Sequence, residues 1–317
     1  MSCIEARSIS KSYDGILAVD SIDLSVPTGK IFGFLGPNGA GKTTTIKLLT
    51  TLVPPTGGTI RILGMDAISN PLEVRKRIGV VLQQPSYEPT LSVEKSIEKY
   101  AMMWNVDKKL QKDRMEELLL AFDLQDIRKK KNDDLSIGHR RRVQVAREFV
   151  HDMDLLFLDE PTVGLDPSAR RSLLDYIKKR VREGLTIFFT THILEEAEYL
   201  CDEIAIINKG KIIAVDTPAE LKNKFGREKT IKIHIDTIRK DLSVLLQGIR
   251  DYQIDYNSGT TITIQSHSSE NILLKILKIL TVNKIPIEDL SVVPTSLEEI
   301  FLTMVKNSNV SSDSISK

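Results

Sequence analysis

Several short stretches carry side chains suited to handling phosphate. GPNGAGKTT, residues 36–44, fits the pattern G-x-x-x-x-G-K-[ST] through Gly36, Gly41, Lys42 and Thr43. Glycines let a backbone curl until successive N–H groups aim at phosphate oxygens. A lysine ammonium neutralises the outer phosphates, and the neighbouring hydroxyl can hold Mg²⁺. LLFLDE, residues 155–160, ends an apolar run on two carboxylates. Asp159 would meet the Mg²⁺, directly or through water, and Glu160 would orient or deprotonate an attacking water. Alone, such a run is equally an ordinary strand entering an acidic turn; the phosphate loop gives it chemical meaning. His192 follows TIFFT and Gln83 follows IGVVL. Both stand at the carboxyl end of an expected strand, where α/β domains place their ligand crevice. The alternatives are a surface-loop histidine and an uncommitted loop amide. Tyr13 is either a stacking face for a base or a packed strand-edge aromatic.

DDLSIGHRRR, residues 133–142, reads as a helix start. Asp134 and Ser136 offer capping oxygens, and an apolar rhythm (Val143, Val145, Ala146, Phe149, Val150) follows. A helix N-terminus with a hydroxyl, a glycine and positive charge invites an anion. The run KKKNDD (129–134), with Arg140–Arg142, is either a nucleic-acid patch or a solvated face, and the near-even charge of the chain favours the latter.

Those side chains need a frame. IFGFL (31–35), IGVVL (78–82), LLFL (155–158), TIFFT (186–190) and IAII (204–207) are nearly continuous apolar runs. Such runs suit strands buried on both faces, and helical segments lie between them, so the fold class is α/β with a parallel sheet. Residues 90–130 carry helical spacing without strand signals and read as a helical insertion, spanning about 86–150 with its flanks. From about residue 222 the pattern becomes βαββαβ: strands TIKIHI (230–235), YQIDY (252–256), TITIQ (261–265) and KIPIEDLSVV (284–293), with helices IRKDLSVLLQGI (238–249) and ENILLKILKIL (270–280), a ferredoxin-like α+β unit over 222–305. Ser296 and Glu299 form a capping box for a last helix ending near Met304. The polar stretch 306–317 reads as a disordered tail.

Of 317 residues, 41% are hydrophobic and 27% charged, with net charge +1, as in an ordinary globular protein. That balance gives no support for wholesale nucleic-acid binding. Two distant cysteines, Cys3 and Cys201, argue against a disulfide framework and for a reducing compartment. The N-terminal stretch lacks a signal-peptide core, and no apolar run approaches the ~20 residues that span a bilayer. Work at a membrane would therefore need a separate spanning chain.

Taken in order along residues 4 to about 221, these motifs resemble the nucleotide-binding subunit of an ABC transporter. The resemblance implies a P-loop ABC ATPase domain over 1–221 that binds ATP and Mg²⁺. Tyr13 would be its A-loop aromatic. Gly36, Pro37, Asn38, Gly39, Ala40, Gly41, Lys42, Thr43 and Thr44 would be its Walker A loop, and Gln83 its Q-loop glutamine. Ser136 and Gly138 would belong to its signature, Asp159 and Glu160 to Walker B, Asp166 to its D-loop, and His192 would be its switch histidine. Glu160, His192 and Lys42 would be catalytic, with Thr43, Gln83 and Asp159 around the metal. VVLQQPSYEPTLSVEKSI and the ending PTSLEEIFLTM are similar to the daunorubicin-resistance branch, in which the membrane-spanning half is a separate permease and transport is usually export.

The family also implies a head-to-tail homodimer on the cytoplasmic face of the membrane, the signature of one copy capping the γ-phosphate held by the other. No nucleic-acid partner is expected; a soluble ABC ATPase acting on nucleic acid or ribosomes is the alternative. One departure stands out. The usual LSGGQ is LSIGH here, with Ile137 in place of a glycine and His139 in place of the glutamine. If that glycine needs φ > 0, a β-branched residue would distort the cap. Because Ser136 and Gly138 survive, the expectation is a working cap with slower hydrolysis.

Overall fold

The computed structural model describes residues 2–225, 229–235, 241–249, 252–255, 260–266, 269–293 and 296–313. It divides into two compact units, Met1–Thr217 and Pro218–Lys317. The expected boundary lay at 221/222. The helix that straddles it, Pro218–Phe225, packs on the last helix and so belongs to the second unit.

The first unit opens with β1 (Ser2–Tyr13) and β2 (Ile16–Pro27), followed by β3 (Ile31–Leu35) and α1 (Lys42–Leu49). Next come β4 (Gly57–Ile62), β5 (Met65–Asp66), α2 (Pro71–Arg75) and β6 (Ile78–Val81). The helical insertion holds α3 (Val93–Met103), α4 (Lys108–Ala121) and α5 (Ile137–Glu148). The chain then returns through β7 (Leu155–Asp159), α6 (Pro167–Arg182), β8 (Thr186–Thr191), α7 (Leu194–Leu200), β9 (Glu203–Asn208) and β10 (Lys211–Asp216).

The strands form two sheets. An antiparallel sheet has the order β2-β1-β4-β5, and a six-stranded sheet has the order β10-β9-β3-β8-β7-β6. In the latter every pairing is parallel except β9–β10. Its centre is buried on both faces, so β3, β7 and β8 show no exposed position. This is why their sequences run apolar without alternation. Phe32, Phe34 and Phe157 all pack on Phe188, with ring centroids 5.4–5.8 Å apart. Parallel pairing has a direct functional consequence. It brings the carboxyl ends of β3, β6, β7 and β8 to one edge, where the loops carrying the chemistry leave the sheet.

The second unit contains α8 (Pro218–Phe225), β11 (Lys229–Ile235), α9 (Leu242–Leu245), β12 (Tyr252–Asp255), β13 (Thr260–Ser266), α10 (Ser269–Val282), β14 (Asp289–Val293) and α11 (Leu297–Asp313). Its sheet is antiparallel throughout, in the order β12-β13-β11-β14. That is the ferredoxin-like order read from the βαββαβ pattern. Ile231, Ile233, Ile235, Ile262 and Ile264 alternate inward against Leu242, Leu246, Ile276 and Leu280. The start of the expected helix at 238–240 and the tail end at 314–317 lie outside the described residues.

Two expectations need correction. The last strand begins at Asp289 rather than at residue 284; Lys284 adopts a left-handed backbone, and Pro286 has no N–H for a ladder. The capping box exists, with Ser296 N–H donating to Glu299 Oε2 and Glu299 N–H to Ser296 Oγ, both at 3.2 Å. Its helix nevertheless continues past Met304 to Asp313, through residues expected to be a disordered tail. Within it Ser308 Oγ donates to Val305 O at 2.9 Å. Among the described residues no helix is long and apolar enough to cross a membrane.

Candidate active site

The phosphate loop links β3 to α1. Gly39 and Gly41 have φ of 78° and 109°, which side chains rarely tolerate. A Cβ at Gly41 would also lie 2.5 Å from Ala18 O, and one at Gly36 would lie 2.5 Å from Ile207 O. The motif therefore demands glycine twice over at Gly41, for backbone conformation and for space. The loop and the first residues of α1 line a cleft of ≈ 360 Å³ with Ala18, Gln83 and Glu160. Lys42 enters it from the start of α1. Its ammonium donates to Gly36 O at 2.8 Å and lies 3.3 Å from Glu160 Oε1.

Asp159 ends β7 almost fully buried, and each of its oxygens has a hydroxyl partner. Thr43 Oγ1 donates to Oδ2 at 2.8 Å, and Thr190 Oγ1 donates to Oδ1 at 2.7 Å. Threonine hydroxyl, aspartate carboxylate and the nearby Gln83 amide form an oxygen-rich set suited to a hard cation such as Mg²⁺. Asp159 and Thr43 are already within hydrogen-bond distance, so the set fits that ion. Glu160 has φ of 48°, left-handed for a residue with a side chain. Its carboxylate meets Lys42, accepts from Gln83 Nε2 at 3.1 Å, and lies 3.2 Å from His192 Nδ1. The structure thus brings Gly36–Thr44, Gln83, Asp159, Glu160 and His192 together. Tyr13, at the end of β1 and 43% exposed, is not among the residues lining the cleft; Lys11 Nζ lies 5.2 Å from its ring centroid.

Ser136, Gly138 and Asp166 form a second cluster, and none of them lines that cleft. Ser136 caps α5, accepting from His139 N at 3.3 Å, and its hydroxyl also shares a 2.7 Å hydrogen bond with His139 Nδ1. Gly138 is required by proximity, because a Cβ there would lie 2.8 Å from Gly164 O. Asp166 caps α6 by accepting from Ala169 N at 2.9 Å, and Arg142 lies 3.8 Å from its carboxylate. Ile137 is the first helical residue of α5, is 73% exposed and does not have positive φ. The distortion feared from a β-branched residue at this position therefore does not arise.

Two residues escaped the sequence reading. Thr190 was only part of an apolar run, yet it sits beside Asp159 across the β7–β8 register and also receives Glu160 N–H at 3.1 Å. The run Arg140–Arg142 was read as a solvated face; Arg141 is instead 5% exposed. Burial pushes its pKa down to about 10, against the opposing pull of Asp159 and Glu160. Arg140 and Arg142 are also engaged, with Asn132 O, Tyr87 and Asp133 O and with Asp123 respectively. The signal for Arg141 was periodic: it shares the inward phase of α5 with Val145 and Glu148.

A glycine loop at the end of a parallel strand, a buried carboxylate pair facing it and a helical layer with a capped helix define a P-loop ATPase of the ABC class. Comparisons with known proteins agree. The family model described as ABC transporter matches residues 19–163, and that of the ATP-binding protein DrrA1-3-like, C-terminal domain, matches 217–305. A third, for an AAA domain (putative AbiEii toxin, Type IV TA system), matches 131–198. The chain is 36% identical over 302 residues to the daunorubicin/doxorubicin resistance ATP-binding protein DrrA of Streptomyces peucetius, covering 95% of this chain and 92% of that one. It is 31% identical over 304 residues to the linearmycin resistance ATP-binding protein LnrL of Bacillus subtilis (strain 168), covering 95% and 97%. A solved ATP-binding subunit of an ABC transporter superposes with a TM-score of 0.66 at 28% identity, over 71% of this chain and 93% of that one. A dimeric, post-hydrolysis ATP-binding cassette bound to ADP and Pi shares the fold, with a TM-score of 0.63 at 23% identity over 68% and 98%. The chain belongs to the ATP-binding subunits of ABC transporters, in the daunorubicin-resistance branch.

Proposed function

We propose that two copies of this ATPase clasp head to tail around two ATP–Mg²⁺ and drive a separate membrane-spanning permease from its cytoplasmic side, exporting a drug-like compound. The names of the full-length relatives, which confer resistance to daunorubicin, doxorubicin and linearmycin, support export. The two separate clusters support the clasp. Ser136 and Gly138 lie at a helix N-terminus that suits an anion, yet they do not line their own chain's phosphate cleft. Internal use of the arginine run argues against a nucleic-acid partner.

In this reading the glycine loop and the N-terminus of α1 wrap the phosphates, and Lys42 neutralises the outer ones. Thr43, Asp159 and Gln83 would hold Mg²⁺, which would offset phosphate charge. Glu160 orients water in line with the γ-phosphate and accepts its proton, and His192 contacts that phosphate. Ser136 and Gly138 close the site built by the other copy. Tyr13 stacks on the base and Asp166 lines the seam between copies.

One observation carries the proposal: Lys42, Gln83 and His192 all converge on the Glu160 carboxylate. Glu160→Gln at saturating ATP–Mg²⁺ should lower turnover by ~10²-fold or more, the usual worth of a positioned base. It should also retain nucleotide and accumulate a dimer in light scattering. Turnover at the wild-type rate would overturn it.

A further inference from the structure

Arg141 lies one turn into α5, the helix capped by Ser136, and its guanidinium points at the hydrolytic end of its own chain's cleft. All its N–H groups are used. Nε donates to Pro161 O at 3.1 Å. Nη1 donates to Leu82 O at 2.7 Å and to Gln144 Oε1 at 2.9 Å. Nη2 donates to Asp159 O at 2.8 Å and to Glu160 O at 2.9 Å. Every one of these acceptors is a neutral oxygen. Keeping a full charge in the interior on such partners is costly, and only a fork with five donors can satisfy them together.

The partners are the significant part. Glu160 holds a left-handed backbone, a strained state that persists only where its surroundings over-determine it. Thr190 grips the N–H side of this residue, and Arg141 grips the carbonyls of Asp159, Glu160 and Pro161 in succession. The same guanidinium holds Leu82 O, next to Gln83, whose amide donates to Glu160. Both ends of the Gln83–Glu160 hydrogen bond are thus mounted on one side chain. Gln144, a turn further along α5, adds bonds to Leu82 O at 3.3 Å and to Gln84 O at 3.1 Å.

We infer that Arg141 is a positioning residue for hydrolysis: it aims the Glu160 carboxylate through the backbone that carries Glu160 and Gln83. It thereby ties the helix bearing Ser136 to the reacting end of the chain's own cleft. This rests on the reading of Glu160 as the residue that orients water. Arg141 is not among the residues lining the cleft, and its N–H groups are all taken by protein oxygens, so its effect falls on turnover and not on ATP affinity.

The test is a double-mutant cycle on the full chain, with R141K, E160Q and the pair, read by single-turnover phosphate release and by equilibrium binding of a fluorescent ATP analogue. Lysine keeps the charge but cannot fork. R141K should lower the hydrolysis rate ~10-fold or more, as a misplaced reacting group does, while nucleotide affinity stays within ~2-fold. In the E160Q background the same change should cost less than ~2-fold, because the group being aimed is already gone. Equal effects in both backgrounds would overturn the inference and mark Arg141 as merely structural; general misfolding would also register as that additivity. Wild-type rates in R141K would overturn it too. E160Q alone at the wild-type rate would instead sink the reading of Glu160.

Discussion

At the scale of single residues, several substitutions have defined outcomes. Ile137 is helical and exposed, so Ile137→Gly relieves no strain and should leave ATP turnover within ~3-fold, at a helix-propensity cost of up to ~1 kcal/mol in denaturant melts. Thr190→Val removes the hydroxyl shared by Asp159 Oδ1 and Glu160 N–H. It should destabilise the fold by ~1–3 kcal/mol, the cost of orphaning a buried acceptor, and should slow hydrolysis as well. His139 is held below its ordinary value of 6.5, first by burial and then by the Arg142 charge. A base with a lowered folded pKa binds fewer protons folded than unfolded. The associated stability is present above 6.5 and is lost as pH falls through the lowered folded value. Melting temperature should therefore drop more steeply on acidification in wild type than in His139→Gln. The motif residues were legible because their chemistry is local: a glycine loop needs its glycines wherever it lies. Thr190 was not, since its role exists only through the register that sets it beside Asp159, and nothing in TIFFT marks one threonine as special. Arg141 sat in a run of like charges that looked solvated, and charge alone does not reveal burial.

At the scale of elements, the buried strands and the βαββαβ order of the second unit followed from hydrophobic period, the most reliable signal a sequence carries. Helix α5 was legible as a helix but not as a fastener. It holds the segment after β6 through Arg141, Gln144 and Arg147, the last reaching Ser86 Oγ at 2.9 Å and Glu88 Oε2 at 3.0 Å. Such bonds depend on which face turns inward, and a mixed polar helix leaves that open. The loop between β3 and α1 is the least tolerant connection. Gly41→Ala forces a Cβ against Ala18 O and a strained φ, and ATP affinity should fall at least ~10-fold in equilibrium binding, while the far-UV spectrum stays native. The end of α11 runs against composition, because serine and asparagine side chains compete with the backbone for hydrogen bonds and so predict loops.

At the scale of the whole molecule, each unit has its own core. One gathers residues of β1–β4, β6–β9, α1 and α2, the other only residues of the second unit. Calorimetry of the full chain should resolve two transitions, and saturating ATP should raise only the one belonging to the first unit, by mass action. A single transition shifted as one would show that the units melt together. The separation of Ser136 from the phosphate cleft has a genetic corollary. If copies complete each other's pockets, a lesion at Ser136 is contagious: the faulty copy still loads nucleotide, finds a healthy mate and spoils it. Where a cycle needs both pockets, ATP turnover in a mixture of sound and faulty copies would then fall with the square of the sound share rather than in proportion to it.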